Sequence, residues 1–460
     1  MRDFNVLIIG SGPAGLFAAS WLERLGVDRI AIFDQNRYPA GGLLNDGKLN
    51  FDYRVGIDLD ELQIGRVEAQ NLMDEVKQVF VKFPRCQQVT FIENSEKINA
   101  WKKIADEHGV QFIAPEQWHY GTDNGKQLVD YLRGLLKHTT FFLGTEVVSI
   151  EKIPPNPPLI KGGRDDFKRG RLADGRYCFV CQKGQKTEKY SGKVVLACPG
   201  RGGAYWFRDS SKKIKVKNNF GPIDVGIRIE LNRKFYDPIT DVVYDPKFIF
   251  CTKRHGDRVR TFCTNPGGRV RIENYGDFKL VNGDALFDRK TENTNFALIN
   301  TVSLTQPFSD TTEFGQMIAR QFFLLGGGRP IVQRVGDFRE GKRSSKSTFN
   351  SKTRHFDRCK ATYNAVPGDI TLGLPARIVD NLWESLKTLD KIVPGILHPS
   401  TLLYAPEIKF FDTHFPTDQY LETNIKGIFV AGDGTGKSRG IVGAAVSGII
   451  AAKGIFEKYF

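Results

Sequence analysis

Gly10-Ser11-Gly12-Pro13-Ala14-Gly15 spaces three glycines as G-x-G-x-x-G, and Asp34 follows 19 residues after the last. Each residue type answers a demand of binding a dinucleotide diphosphate. Gly10 makes a tight turn, Gly12 lets the backbone approach two phosphates, and Gly15 lets a helix pack closely on the preceding strand. Pro13 and Ala14 complete the loop that brings the helix N-terminus, with its unpaired N–H groups and positive dipole end, against the anion. Asp34 offers a carboxylate that can accept from adenosine ribose hydroxyls.

The elements that must hold these residues are legible around them. Asn5-Val6-Leu7-Ile8-Ile9 is a short apolar, β-branched run, as expected of a strand buried on both faces. Leu16 to Leu25 reads as a helix stopped by Gly26, and Arg29 to Asp34 as a second strand ending on the acid. Alone, the glycine pattern is weak; strand, glycines, helix, strand and acid in this order describe a dinucleotide-binding unit.

The far end of the chain distinguishes between dinucleotides. Gly427-Ile428-Phe429-Val430-Ala431 is another strand, followed by Gly432-Asp433-Gly434 and a helix of small residues from Gly440 to Ala452. This resembles the second FAD motif of flavoproteins, which implies that Asp433 binds the ribityl chain. The same resemblance aims the helix N-terminus, at Gly440 and Ile441, toward the flavin pyrimidine edge, where a positive dipole end stabilises negative charge. A phosphate-loop reading competes: Ala431 to Ser438 fits its relaxed form, although the strict pattern asks for glycine at 431. A nucleotide triphosphatase would leave the N-terminal fingerprint without a role, so Lys437 is read as a loop residue near flavin or solvent.

Further segments extend the resemblance. Phe141 to Ile150 is similar to the FAD-domain strand whose backbone, near Val147, brackets the adenine. Lys193 to Gly200 is similar to the strand and turn that return beside the cofactor, with Cys198-Pro199 departing from the usual residues. Other matching segments are Gly41-Gly42 with Asn45-Asp46-Gly47-Lys48-Leu49-Asn50, then Asp224-Val225-Gly226-Ile227-Arg228 and Asp245-Pro246-Lys247-Phe248-Ile249. Arg260-Thr261-Phe262-Cys263 with Asn265-Pro266-Gly267-Gly268, and Ile392-Val393-Pro394-Gly395, complete the set. Together they resemble a family of NAD(P)/FAD-dependent oxidoreductases (dehydrogenases) whose own reaction is not established. That family is distantly related to geranylgeranyl-reductase-like and tRNA-modifying flavoproteins. The resemblance implies FAD as cofactor and adds Gly42, Lys48 and Gly200 to its contacts. No second G-x-G-x-x-G opens another nucleotide-binding unit, so NAD(P)H is expected only as a transient co-substrate.

Flavin performs electron transfer itself, so few side chains are candidates for chemistry. Cys263, beside a Pro-Gly-Gly turn, could face the ring as a thiol; Lys48 could be a flavin-side cation. Cys178 and Cys181 form C-x-x-C within a run that reads as a strand, where residues three apart face opposite ways. They are read as ordinary thiols, and no metal site is expected. His398 and His414 are read as structural or solvent-facing.

With 460 residues, 40% hydrophobic and 26% charged, the chain suits two or three globular domains. No uninterrupted apolar run reaches the roughly 20 residues that span a bilayer, and seven scattered cysteines argue against a secreted disulfide framework. A cytoplasmic protein is expected. Net charge of +14 suits anionic partners, with basic stretches at 212–217 and 339–360. A small-molecule substrate is favoured over tRNA, or over a lipid or isoprenoid at a membrane surface. The expected fold is α/β: a Rossmann-like FAD-binding domain with a central parallel sheet, plus an inserted α+β domain rich in antiparallel strands. The FAD domain is assigned to 1–60, 110–220 and 400–460, a mainly helical excursion to 61–109, and a substrate or cap domain to 221–399. Pro154 to Gly163 reads as an exposed loop, Glu61 to Lys82 as helical, and Ile378 to Leu389 as an amphipathic helix.

Overall fold

A computed structural model describes residues 1–38, 41–90, 95–153, 176–288, 290–350, 359–410 and 413–460. The proline-rich loop expected at Pro154–Gly163 lies outside the described residues. The N-terminal strand, β1 (Arg2–Ile9), pairs in parallel with β2 (Ile30–Asp34) on one side and with Lys186–Ala197 on the other. Thr139–Leu143 extends the sheet beyond β2, and Ile428–Val430 pairs with the last residues of Lys186–Ala197, both in parallel. Arg176–Lys183 and Glu146–Ile153 add antiparallel strands. Phe141 to Ile150, expected as one strand, is divided at Gly144, whose φ of +63° turns the chain. Helix α1 spans Pro13–Arg24 and starts earlier than expected, because Pro13 is tolerated in a first turn.

The helix Gly440–Tyr459 lies against α1. A Cβ on Gly448 would stand 2.2 Å from the Ala14 carbonyl oxygen, so the two backbones touch where a larger residue would separate them. By length and composition this helix could cross a membrane, yet 78% of its most apolar stretch is buried in the protein. It serves as a core helix, packed with Ala14, Phe17, Leu72 and Met73.

The second sheet has eight strands, in the order 366–367, 331–334, 402–409, 223–232, 293–302, 258–266, 247–251 and 111–113. Alternation along Ile223–Asn232 sorts its faces. Val225, Ile227, Ile229 and Leu231 join a core with Phe248, Phe296, Leu298 and the helix Ala376–Ile392. Asp224, Arg228 and Glu230 point the other way, buried although polar.

This sheet moves two expected boundaries. Gln111–Ile113 pairs with Lys247–Cys251, and Leu402–Lys409 pairs with Ile223–Asn232. Both belong with the second domain rather than the FAD domain, because a strand is assigned by its ladder. The 61–109 excursion also proves mixed. Leu59–Leu62 and Arg66–Phe80 are separate helices, broken at Gln63 with φ +53°. A strand, Gln87–Thr90, and a helix, Ser95–Glu107, follow. Leu72 and Val76 pack in the first core, Ala105 in the second.

Candidate active site

Three turns meet where the parallel strands end. Gly10 has φ +92°, and a Cβ there would lie 2.1 Å from the Cys198 carbonyl oxygen. One on Gly434 would lie 2.0 Å from the Gly200 carbonyl oxygen, and one on Gly432 3.2 Å from the Ala14 Cβ. The two glycine motifs from opposite ends of the chain are therefore neighbours. A Cβ on Gly12 would meet nothing within 4 Å, so space remains at the glycine where a ligand is expected to approach. No side chain caps α1 at Gly12, and its first N–H groups stay available for an anion. A Cβ on Gly42 would be 3.4 Å from Ile441 Cγ1, which sets two expected contact residues side by side.

The acids of both motifs are tied to these turns. Asp34 accepts from the Ser11 amide at 3.0 Å, the Ser11 hydroxyl at 3.2 Å and the Asn36 amide at 2.9 Å, fixing β2 to the glycine loop. Asp433 accepts from the Ser438 hydroxyl at 2.9 Å and the Gly440 amide at 3.1 Å. Burial raises the Asp433 carboxyl above its ordinary value despite the nearby Arg201 guanidinium. Val147 follows Thr145, whose amide donates to the Asp34 carbonyl at 2.9 Å. The Val147 side chain is buried in the core, leaving only its backbone for a ligand. Gly200, with φ +62°, opens a helix, Gly200–Lys213, that the sequence reading took as a turn.

Residues 3–43 match the family model described as "FAD binding domain", and residues 222–409 the one described as "FAD-dependent protein, C-terminal domain-like". The chain is a flavoprotein. Because FAD serves hydride and electron transfer, this makes it an FAD-dependent oxidoreductase. An uncharacterized protein of Clostridium beijerinckii is 26% identical, over 98% of this chain and 81% of its own length. Among solved structures, glycine oxidase from Geobacillus kaustophilus is 12% identical, with 100% of this chain and 96% of that one covered, at a TM-score of 0.42. A geranylgeranyl bacteriochlorophyll reductase-like protein from Thermoplasma acidophilum is 10% identical, with 99% and 79% covered, at 0.38.

The flavoprotein's second domain brings together Lys48 and Cys263, both singled out in the sequence. Lys48 Nζ donates to Cys263 Sγ at 3.2 Å and to the Thr264 carbonyl at 2.8 Å, and lies 3.2 Å from Asp245 Oδ2. Burial alone would lower this ammonium's pKa, but Asp245 and, behind it, Cys263, Asp46 and Tyr244 together outweigh burial and hold the group above its ordinary value. Lys48, expected beside the diphosphate or flavin, turns its ammonium to the second domain, onto Cys263, the Thr264 carbonyl and Asp245. Cys263 is buried with φ +50°, at a point where the register of its strand shifts.

Lys437, expected near flavin or solvent, is buried in an ion pair with Glu61, which His414 contacts as well, so it does not face solvent. His398 contacts the Ser400 hydroxyl at 2.8 Å. All seven cysteines are free thiols, and among the described residues no group of three or more His, Cys, Asp or Glu is gathered for a metal.

Other polar residues had appeared only within matching segments, without roles. Lys247 Nζ is 2.6 Å from Asp245, Arg260 donates to Asp224 at 2.7 Å, and Arg228 grips Glu407 with two donors at 2.7 and 2.5 Å. Arg201, beside Glu273 and Asp433, was missed; burial would lower its pKa, but Glu273 leads the groups that raise it. Strand alternation was the available signal, since charged residues at 224, 228 and 230 alternate with Val225, Ile227 and Ile229. What covers such a face cannot be read from one strand.

Proposed function

We propose that this oxidoreductase acts in the cytoplasm on a small organic substrate, with NAD(P)H visiting as a transient donor. FAD, when bound, supplies hydride or electron exchange at its isoalloxazine ring. The N-terminus of α1, from Gly12 to Gly15, would hold the diphosphate, and Asp34 the ribose. Asp433 would hold the ribityl chain, and the helix start at Gly440 and Ile441 the flavin edge. Lys48, with its raised pKa, keeps its proton; it fixes positive charge beside Cys263 and is not a proton donor. The polar face of the second sheet would orient the substrate.

One observation carries this arrangement. Arg439 immediately precedes the Gly440 helix, and its guanidinium reaches within 3.8 Å of Asp224 on that polar face. The substrate face therefore stands beside the second glycine motif. Seven free thiols suit a reducing compartment.

The test is anaerobic stopped-flow mixing of the purified holoprotein with NADH and NADPH, followed by an acceptor screen. Loss of oxidised-flavin absorbance with either nucleotide is expected. If neither reduces the flavin, the donor assignment fails and direct substrate oxidation replaces it. A protein that neither retains nor rebinds FAD overturns the reading.

A further inference from the structure

The half-buried Phe262 ring lies among three cations. Arg260 Cζ is 5.0 Å from its centroid, and Lys247 Nζ and Lys409 Nζ are each 5.8 Å away. Each cation shares its carboxylate with a second one. Asp245 serves Lys247 and Lys48, Asp224 serves Arg260 and Arg439, and Glu407 serves Lys409 and Arg228. Three carboxylates thus face six cations, four from the second sheet with Lys48 and the partly exposed Arg439 reaching in from outside it, and Glu273 adds a more distant negative charge toward Lys409.

Two donors are left over by this sharing. Arg228 occupies both oxygens of Glu407, so Lys409 Nζ comes within 3.1 Å of Oε1 but makes no hydrogen bond. The Lys409 side chain is 1% exposed. On Asp224, one oxygen accepts from the Thr301 hydroxyl and the other from Arg260 Nη2, leaving Arg260 Nε buried without a hydrogen-bond partner among the described residues. Unsatisfied charged donors at such depth are costly unless an acceptor joins them.

We propose that the Phe262 corner binds the substrate's anionic group: a small organic carboxylate accepts from Arg260 and Lys409 and lays its apolar body on the Phe262 ring. This deepens the oxidoreductase reading and rests on it, because the same Asp224 that holds Arg260 also faces Arg439 at the start of the Gly440 helix. The carboxylate supplies both the missing acceptor and the missing negative charge, and a neutral substrate supplies only the first.

Calorimetric titration of the FAD-loaded protein with benzoate and with propionate, each against its neutral amide, tests this. Saturable binding of at least one acid is expected, roughly tenfold or more tighter than its amide. Arg260→Gln and Lys409→Met should weaken that binding roughly tenfold while the FAD content is retained. Equal affinity for acid and amide, or no binding of either acid, overturns the inference without any variant. Unchanged acid affinity in a folded Arg260→Gln protein does so as well. A protein that holds FAD and is reduced by a nucleotide but ignores both acids loses only the anion site. One that cannot hold FAD loses the oxidoreductase reading.

Discussion

Lys48 Nζ lies 3.2 Å from Cys263 Sγ, although 215 positions separate them in the chain. The contact joins the segment after the first glycine motif to a strand of the second domain, and Asp245 completes it. Burial would raise the Asp245 carboxyl, but Lys247 and Lys48 outweigh it and hold the group well below the ordinary carboxylate range. The junction between domains is therefore ionic at this point. Lys48→Met should cost about 3 kcal/mol, near the lower end for breaking a buried pair, because Lys247 still serves Asp245. Cys263→Ala removes only a weak acceptor and should cost about 1 kcal/mol. Urea unfolding of the two variants checks the ranking.

The glycines of the first motif should separate folding from cofactor binding. Gly10→Ala forces a Cβ against the Cys198 carbonyl at a positive φ, and should destabilise the apoprotein by several kcal/mol. Gly12→Ala puts its Cβ in open space, so the apoprotein should lose no more than about 1 kcal/mol, the cost of a poorer helix N-cap. FAD affinity should nevertheless fall by roughly tenfold or more. Thermal melts of the apoproteins, paired with FAD titrations, distinguish the two effects.

His119 sets an acid limit. Burial, then Lys290 and Lys48, push its imidazole down to about 3 from an ordinary 6.5. A folded-state pKa below the unfolded one means that this stability is complete above pH 6.5 and is lost as pH falls toward 3. At pH 5 the loss should be about 2 kcal/mol. Urea unfolding at pH 7 and pH 5 should show that His119→Gln loses less than the parent by about that amount.

Lys437 tests the rival motif. Its ammonium is buried against Glu61, so Lys437→Ala should lower stability by about 1–3 kcal/mol. Neither parent nor variant should hydrolyse ATP. Hydrolysis by the parent that disappears in the variant would restore the phosphate-loop reading.

Local pattern alone was enough for the dinucleotide unit. Strand, glycine turn, helix and acid are neighbours in sequence, and their geometry is fixed within about thirty residues. The strand and helix around Gly432 and Gly440 were legible for the same reason. Boundaries at 110 and 400 were not, because Gln111–Ile113 and Leu402–Lys409 are assigned by pairing with distant strands. Lys48 was named as a cation without its partner, and Lys437 as a loop residue although Glu61 buries it. Asp224, Arg260 and Phe262 stood in matching segments without a role, and Lys409 was not singled out. Their meaning depends on strands 402–409, 223–232 and 258–266, the last reached across 293–302, turning one face toward Arg439. Sequence fixes which residues alternate along a strand; only the tertiary structure decides which strands adjoin and how many cations share each carboxylate. The cofactor was therefore written in local spacing, and the charge that would meet its substrate in long-range pairing.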